Sequence, residues 1–164
     1  MIIHKKCDIF ESGANIICHQ VNCRGVMGSG VAKQIKDRYP LVFDEYKKWC
    51  DERKPKALLG CTQFVRIYPS RAEVKEGDFF GIINMFGQLD YGYDGKCYTS
   101  YEALARCFNT INEFCRYFFD TTPVLAIPYK IGCARGGGDW EKVLSLMEEN
   151  FTDVVVLVCE CDKG

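Results

Sequence analysis

The sequence has almost no charge of either sign to spare: 21 basic residues face 22 acidic ones, leaving −1 overall. Proteins that grip nucleic-acid backbones carry a basic surplus, so there is no nucleic-acid footprint here. No apolar run approaches the ~20 residues that span a bilayer, which excludes a membrane helix. The opening Met1-Ile-Ile-His-Lys-Lys lacks the apolar stretch and small-residue cleavage site of a secretory signal. No repeat, linker or low-complexity segment breaks the chain, so residues 1–164 are expected to form one domain. Cysteine is abundant, with eleven residues, but no C-x-x-C pair occurs and Cys159-Glu-Cys161 is poor zinc spacing. Cys18, Cys61, Cys107, Cys115 and Cys159 sit in apolar periodic segments, where a free thiol acts as a small hydrophobe. These absences describe a reduced, cytoplasmic protein that needs no metal and no resident cofactor.

What is present is the composition of a globular domain, 48% hydrophobic and 26% charged. The chain is organised around Ile16–Lys33. Ile16, Ile17 and Cys18 read as a buried strand. His19, Gln20, Asn22, Arg24 and Gly25 read as a polar turn, which leads into Gly28-Ser29-Gly30. A helical pattern then runs from Val31 to about Tyr39 and stops at Pro40. Strand, glycine loop and helix N-terminus together bind anions. Glycine lets backbone approach the ligand, and the first-turn N–H groups have no partner within the helix. A dinucleotide loop would need glycine where Lys33 stands, and a Walker loop would need lysine where Val31 stands. Cys18 and Arg24 have the C-x5-R spacing of thiolate phosphatases, but no glycine lies between them to converge N–H groups on one centre. A turn required only for strand–helix packing is the remaining alternative.

The rest of the chain alternates strands and helices. Residues 2–6 read as a first strand. Pro40 opens a second helix that ends before Lys54-Pro55-Lys56. Cys61–Ile67 reads as a strand, Tyr68–Asp78 as a hairpin-type connection, and Phe79–Met85 as a buried strand breaking at Gly87. Gln88–Lys96 is a loop placed either to close over a ligand or to stand in solvent. Ser100 caps an amphipathic helix to Phe119 whose core stripe includes Leu104, Phe108, Ile111 and Phe118. Val124–Ile127 is a strand leading through Pro128 into a second glycine loop, Ile131–Gly138. Asp139 is placed to cap a helix over 140–149, and Val154–Cys159 closes the sheet as a fully buried strand. The pattern indicates a three-layer α/β/α fold around a mixed, mostly parallel sheet of about six strands. Two glycine loops at neighbouring carboxyl ends suit a diphosphate.

These residues resemble the macro domain, the ADP-ribose-binding fold, over nearly the whole chain. Asp8-Ile9-Phe10 is similar to the family's Gly-Asp-Ile/Leu motif, whose aspartate takes the adenine amino group. Asn22 and Met27-Gly28-Ser29-Gly30-Val31-Ala32 are similar to its loop around the distal ribose and diphosphate. Pro128 to Trp140 resembles its second phosphate loop, which implies ligand contacts from Lys130, Ile131, Gly132, Cys133, Ala134, Arg135 and Gly136. That second loop resembles most the branch with Pro-Arg-Ile-Gly-Cys-Gly and a nearby Trp, which holds terminal ADP-ribose protein glycohydrolase and the yeast-type ADP-ribose 1″-phosphate phosphatases.

In that branch the glycohydrolase uses a lysine nucleophile after the middle strand and an aspartate in the second loop. Here the strand end reads Ile83-Asn-Met-Phe-Gly-Gln88, and the loop position is Gly136. The phosphatase pattern His-x-x-Asn-Cys-x-Gly is matched by His19 to Gly25. The resemblance implies a hydrolase acting at the distal ribose of ADP-ribose derivatives, either a 1″-phosphate phosphatase or a de-ADP-ribosylating enzyme. His19 is the candidate general acid or ribose-orienting group, and Asp139 is the candidate activator of water. Both have plainer readings, His19 as a strand-end histidine and Asp139 as a helix cap. A non-catalytic ADP-ribose reader is the alternative. The implied partner is ADP-ribose or an ADP-ribosylated substrate, and the sequence does not give the oligomeric state.

Overall fold

A computed structural model describes residues 1–67 and 77–162. Six strands form one sheet: β1 (Ile2–Lys6), β2 (Ile16–Asn22), β3 (Thr62–Arg66), β4 (Gly81–Gln88), β5 (Leu125–Pro128) and β6 (Val156–Glu160). Their order is β1-β6-β5-β2-β4-β3, and every pairing is parallel except β3 with β4. The expected mixed, mostly parallel six-stranded sheet is therefore present. β6 does not close the sheet, because it lies between β1 and β5. It is also less than fully buried, since Leu157 is half-covered and Glu160 exposed.

Helices cover both faces. On one side lie α1 (Gly30–Arg38), α2 (Pro40–Glu52) and the short α3 (Pro55–Leu58), which the sequence reading missed. Ile35 and Val42 pack there on Ile17, Ile82 and Ala126, while Tyr46 and Leu58 pack on Val21 and Phe86. On the other side, α4 (Tyr101–Phe118) and α5 (Trp140–Asn150) bury Leu104, Phe108, Ile111, Val143 and Met147 against Ile16, Cys18, Ile83, Leu125 and Val156. The Ser100 hydroxyl accepts from Ala103 N–H at 3.2 Å, as a cap should. Phe118, placed in the core stripe, is instead 76% exposed at the last residue of α4, where Phe114 and Phe119 pack against the core.

Two strands run further than their apolar residues indicate. β2 continues through His19, Gln20 and Asn22, read from sequence as a turn, because their polar side chains find partners inside. β4 continues past Gly87 to Gln88, but its register with β2 slips there, since Val21 pairs with Phe86 and Asn22 with Gln88. A Cβ at Gly87 would stand 2.5 Å from Gln20 Oε1, so glycine keeps the strand intact. The hairpin-type connection expected over Tyr68–Asp78 lies mostly outside the described residues.

The topology fixes where a ligand fits. From β2 the chain crosses to β3 and β4 on one side, and from β4 it returns through α4 to β5 on the other. β2 and β5 are neighbours whose following segments, α1 and α5, lie on opposite faces. Crevices in open α/β sheets form at the carboxyl ends of such strands.

Candidate ligand site

A cavity of about 330 Å³ opens at that point, within the range of small-molecule sites. Asn22, Gly28, Ser29, Gly30 and Val31 wall one side, and Lys130, Ile131, Gly132, Ala134, Arg135 and Gly136 wall the other. His19 and Gln20 lie at its floor on β2, and Tyr91, Gly92 and Tyr93 approach from the loop after β4. Of the expected site residues, Asp8, Ile9, Met27, Cys133 and Asp139 do not line it. Ile9 and Met27 are core residues, and Cys133 is half-buried beside the second loop. Asp8 follows β1 at the same end of the sheet, where its Oδ1 accepts from Phe10 N–H at 2.9 Å.

The first wall presents backbone donors. α4 and α5 begin under side-chain caps, whereas α1, like α2 and α3, has none, and Ser29 at its start makes no capping bond. The first-turn N–H groups of α1 therefore remain free of a side-chain acceptor at the cavity, at the positive end of the helix dipole. Asn22 holds the approach. Its Oδ1 accepts from Arg24 N–H at 2.9 Å and from the Tyr46 hydroxyl at 2.9 Å, while its Nδ2 donates to Val26 carbonyl at 2.8 Å.

The second wall is clamped to the sheet. The Thr99 hydroxyl donates to Gly132 carbonyl at 2.7 Å and accepts from Gln20 Nε2 at 3.0 Å. Tyr98 and Thr99 N–H groups donate to Gly136 carbonyl at 2.7 and 3.0 Å. A Cβ at Gly136 would lie 2.5 Å from Gly132 carbonyl oxygen, so this fold of the loop has no room for an aspartate at that position. Lys130 adopts a left-handed φ of 57°, a strained conformation for a residue with a Cβ.

The electrostatics suit an anion. Among the described residues, Lys130 and Arg135 line the cavity and no carboxylate does. Asp139 is engaged elsewhere: its Oδ1 accepts from Glu141 and Lys142 N–H groups at 2.9 and 3.4 Å, capping α5. The water-activating role expected of it thus meets a carboxylate turned to a helix end. His19 is fully buried, which pulls its pKa down to about 4 against the opposing effect of its bond to Asn84. A neutral imidazole is no proton donor at neutral pH, so the general-acid expectation does not fit this ring. The Cys18 thiol is buried and held well above its usual pKa by desolvation, which removes the thiolate-phosphatase alternative. Gln88 ends β4, a strand with no lysine in it. Its Oε1 accepts from Gln20 Nε2 at 2.6 Å and its Nε2 donates to Asp90 carbonyl at 2.7 Å.

The family model described as Macro domain matches residues 18–147, a span that contains both glycine walls and the floor between them. The chain belongs to the macro domain family. A DNA ADP-ribosyl glycohydrolase of Mycobacterium tuberculosis is 42% identical over 146 residues, which is 87% of this chain and 36% of that protein. This macro domain thus spans about a third of the length of that relative. An ADP-ribose 1″-phosphate phosphatase of Meyerozyma guilliermondii is 35% identical over 66 residues, covering 37% of this chain and 38% of its own. Among solved structures, Thermosipho africanus DarTG in complex with ADP-ribose shares the fold. It superposes with a TM-score of 0.72 at 23% identity, over 96% of this chain and 41% of that one.

Sequence reasoning did not find Gln20, Thr99, Tyr91 or Tyr93 as site residues, nor Asn84 and Gln63 behind His19. One signal was there to read: Asn84 is an amide in the middle of an apolar stretch of strand, and such a residue needs a buried partner.

Proposed function

We propose that this macro domain binds ADP-ribose and hydrolyses the bond joining its distal ribose to a nucleobase of DNA. The observation that carries the binding is the cavity itself, walled by an uncapped helix N-terminus and a clamped glycine loop, with two cations and no carboxylate among the described residues that line it. A diphosphate fits between those walls. Asp8, at the end of β1, would take the adenine edge. Asn22, its Oδ1 already occupied, would offer its remaining Nδ2 hydrogen to the distal ribose.

Support for the DNA-linked substrate comes from coverage. The relative named for that activity matches most of this chain, whereas the phosphatase matches little more than a third. Water is the nucleophile in this reading, since the β4 end carries Gln88 rather than lysine. The C1″–nitrogen bond breaks, the water oxygen bonds to C1″, and its proton goes to the departing base. The eleven unpaired thiols favour a reducing compartment such as the cytoplasm.

One observation favours the second reading, a binding module without turnover: no carboxylate among the described residues lines the cavity to activate water. Calorimetric titration with ADP-ribose against ADP, AMP and NAD tests the binding, and micromolar affinity clearly tighter than for ADP is expected. Incubation with an ADP-ribosylated single-stranded oligodeoxynucleotide and with ADP-ribose 1″-phosphate then separates the activities. Release of unmodified DNA supports the glycohydrolase, release of phosphate supports the phosphatase, and binding with neither product supports the reader.

A further inference from the structure

A directional chain of hydrogen bonds runs behind the cavity floor. It starts at the backbone carbonyl of Glu45, on α2, which accepts from Gln63 Nε2 at 3.0 Å. Gln63 Oε1 accepts from Asn84 Nδ2 at 3.0 Å, and Asn84 Oδ1 lies 2.6 Å from His19 Nε2. All three side chains are buried. A carbonyl can only accept, so Gln63 must turn its NH2 toward Glu45. Its oxygen then faces Asn84, whose NH2 must face Gln63, which leaves the Asn84 oxygen for His19. Only a protonated Nε2 can complete the series, and Nδ1 is left as a bare lone pair. His19 Nδ1 is a buried polar atom with no partner among the described residues, and His19 is one of the residues that line the cavity.

Resting on the ADP-ribose reading above, we propose that Gln63 and Asn84 are positioning residues that lock His19 in its Nε2–H form, so that Nδ1 accepts an O–H from the distal ribose or from the attacking water. The site then selects ligands that present a hydroxyl donor at this point. A carbonyl or phosphate oxygen placed there would meet a lone pair and be repelled. Burial keeps the ring neutral near neutral pH, so the acceptor persists. The positioning is remote by construction: Gln63 does not line the cavity, and it acts through the amide orientation of Asn84.

Nitrogen-15 NMR of the imidazole tests this directly, because the chain has two histidines and His4 is exposed. His4→Ala removes the second signal. In the free protein, His19 is expected to show Nε2 protonated and Nδ1 bare, and the reverse pattern overturns the proposal. Gln63→Met keeps bulk but lets the Asn84 amide turn over, so a mixture of the two ring forms should appear. Asn84→Leu serves as the second variant, with the same outcome expected. Retention of a pure Nε2–H ring in both folded variants also overturns the proposal. Addition of ADP-ribose separates the two hydroxyl sources. A shift of the Nδ1 signal, with affinity about tenfold weaker in Gln63→Met, assigns the contact to the ribose. An unmoved signal with turnover about tenfold slower at unchanged affinity assigns it to water. If ADP-ribose moves nothing and Gln63→Met alters neither affinity nor turnover, the hydroxyl contact is refuted. Failure of ADP-ribose to bind at all refutes the ligand assignment of the whole site, and the ring form measured in the free protein still decides the lock on its own.

Discussion

Thr99 and Gly132 lie 33 residues apart, and the hydroxyl of one donates to the carbonyl of the other at 2.7 Å. Gln20, on the central strand, donates to the same hydroxyl oxygen. A single side chain therefore ties the second glycine loop both to β2 and to the turn before α4. Removing the hydroxyl cuts the loop's tie to Gln20 and leaves Gly132 carbonyl one donor short, although Gly138 N–H still reaches it at 2.9 Å and the backbone bonds to Gly136 carbonyl remain. Thr99→Val should weaken ADP-ribose binding by about tenfold and lower stability by ~1 kcal/mol, the scale of one buried hydrogen bond. Calorimetry and denaturant melts check the two effects separately. Affinity within twofold of wild type would show that the loop holds its shape without the clamp.

The buried imidazole makes stability depend on pH. His19 titrates near 4 when folded and near 6.5 when free of the structure. Between those values the unfolded chain binds a proton that the folded one refuses. Stability is therefore full above about 6.5 and falls as pH drops toward 4, by on the order of 3 kcal/mol in all. His19→Gln should lose less stability than wild type between pH 7 and pH 4.5 in matched denaturant melts. Parallel losses in both proteins would mean that other groups cause the acid sensitivity.

Asp139 is predicted to matter for the helix more than for the chemistry. Asp139→Ala should cost ~1 kcal/mol, the usual loss for a helix cap, with turnover of any substrate changed less than threefold. A folded variant slowed by a hundredfold would return that carboxylate to the reaction.

Tyr93 is expected to slow ligand departure. Its ring lies 4.3 Å from the Arg135 guanidinium, and its hydroxyl approaches the space beside Gly28, so it bridges the two walls at the mouth of the cavity. Tyr93→Ala should raise the dissociation rate of ADP-ribose about fivefold, the scale of one exposed cation–ring contact. Stopped-flow measurement checks it, and an unchanged rate would place the loop outside the ligand's path.

Much of this was legible in the sequence because it depends on local rules. Apolar runs marked most of the strands, Pro40, Ser100 and Asp139 marked helix starts, and the glycines marked both walls. The rest depended on partners distant in the chain. His19, Gln20 and Asn22 look like a turn when read alone, because nothing local shows that Asn84, Thr99 and Tyr46 will satisfy them. Gly87 looks like a strand breaker until the Gln20 amide is seen lying against it. Phe118 fits the helical stripe, but the stripe cannot show that Phe114 and Phe119 will pack against the core while Phe118 stays outside. Asp139 satisfies a motif and a cap at once, and only its hydrogen bonds show which of the two it serves in this fold.

The pairing of β2 is lopsided. It is laddered to β4 from Ile16 to Asn22, but to β5 only at Ile16 and Ile17. Past Ile17 the two strands part, and the sheet carries a notch where rungs would otherwise continue. Whatever lodges in the notch stands in for those rungs, so recognition here doubles as bracing. The carboxyl half of β2 should be the slackest part of the core by amide exchange and should gain the most protection when ADP-ribose binds. Heat resistance and ligand grip would then rise and fall together across variants of this notch.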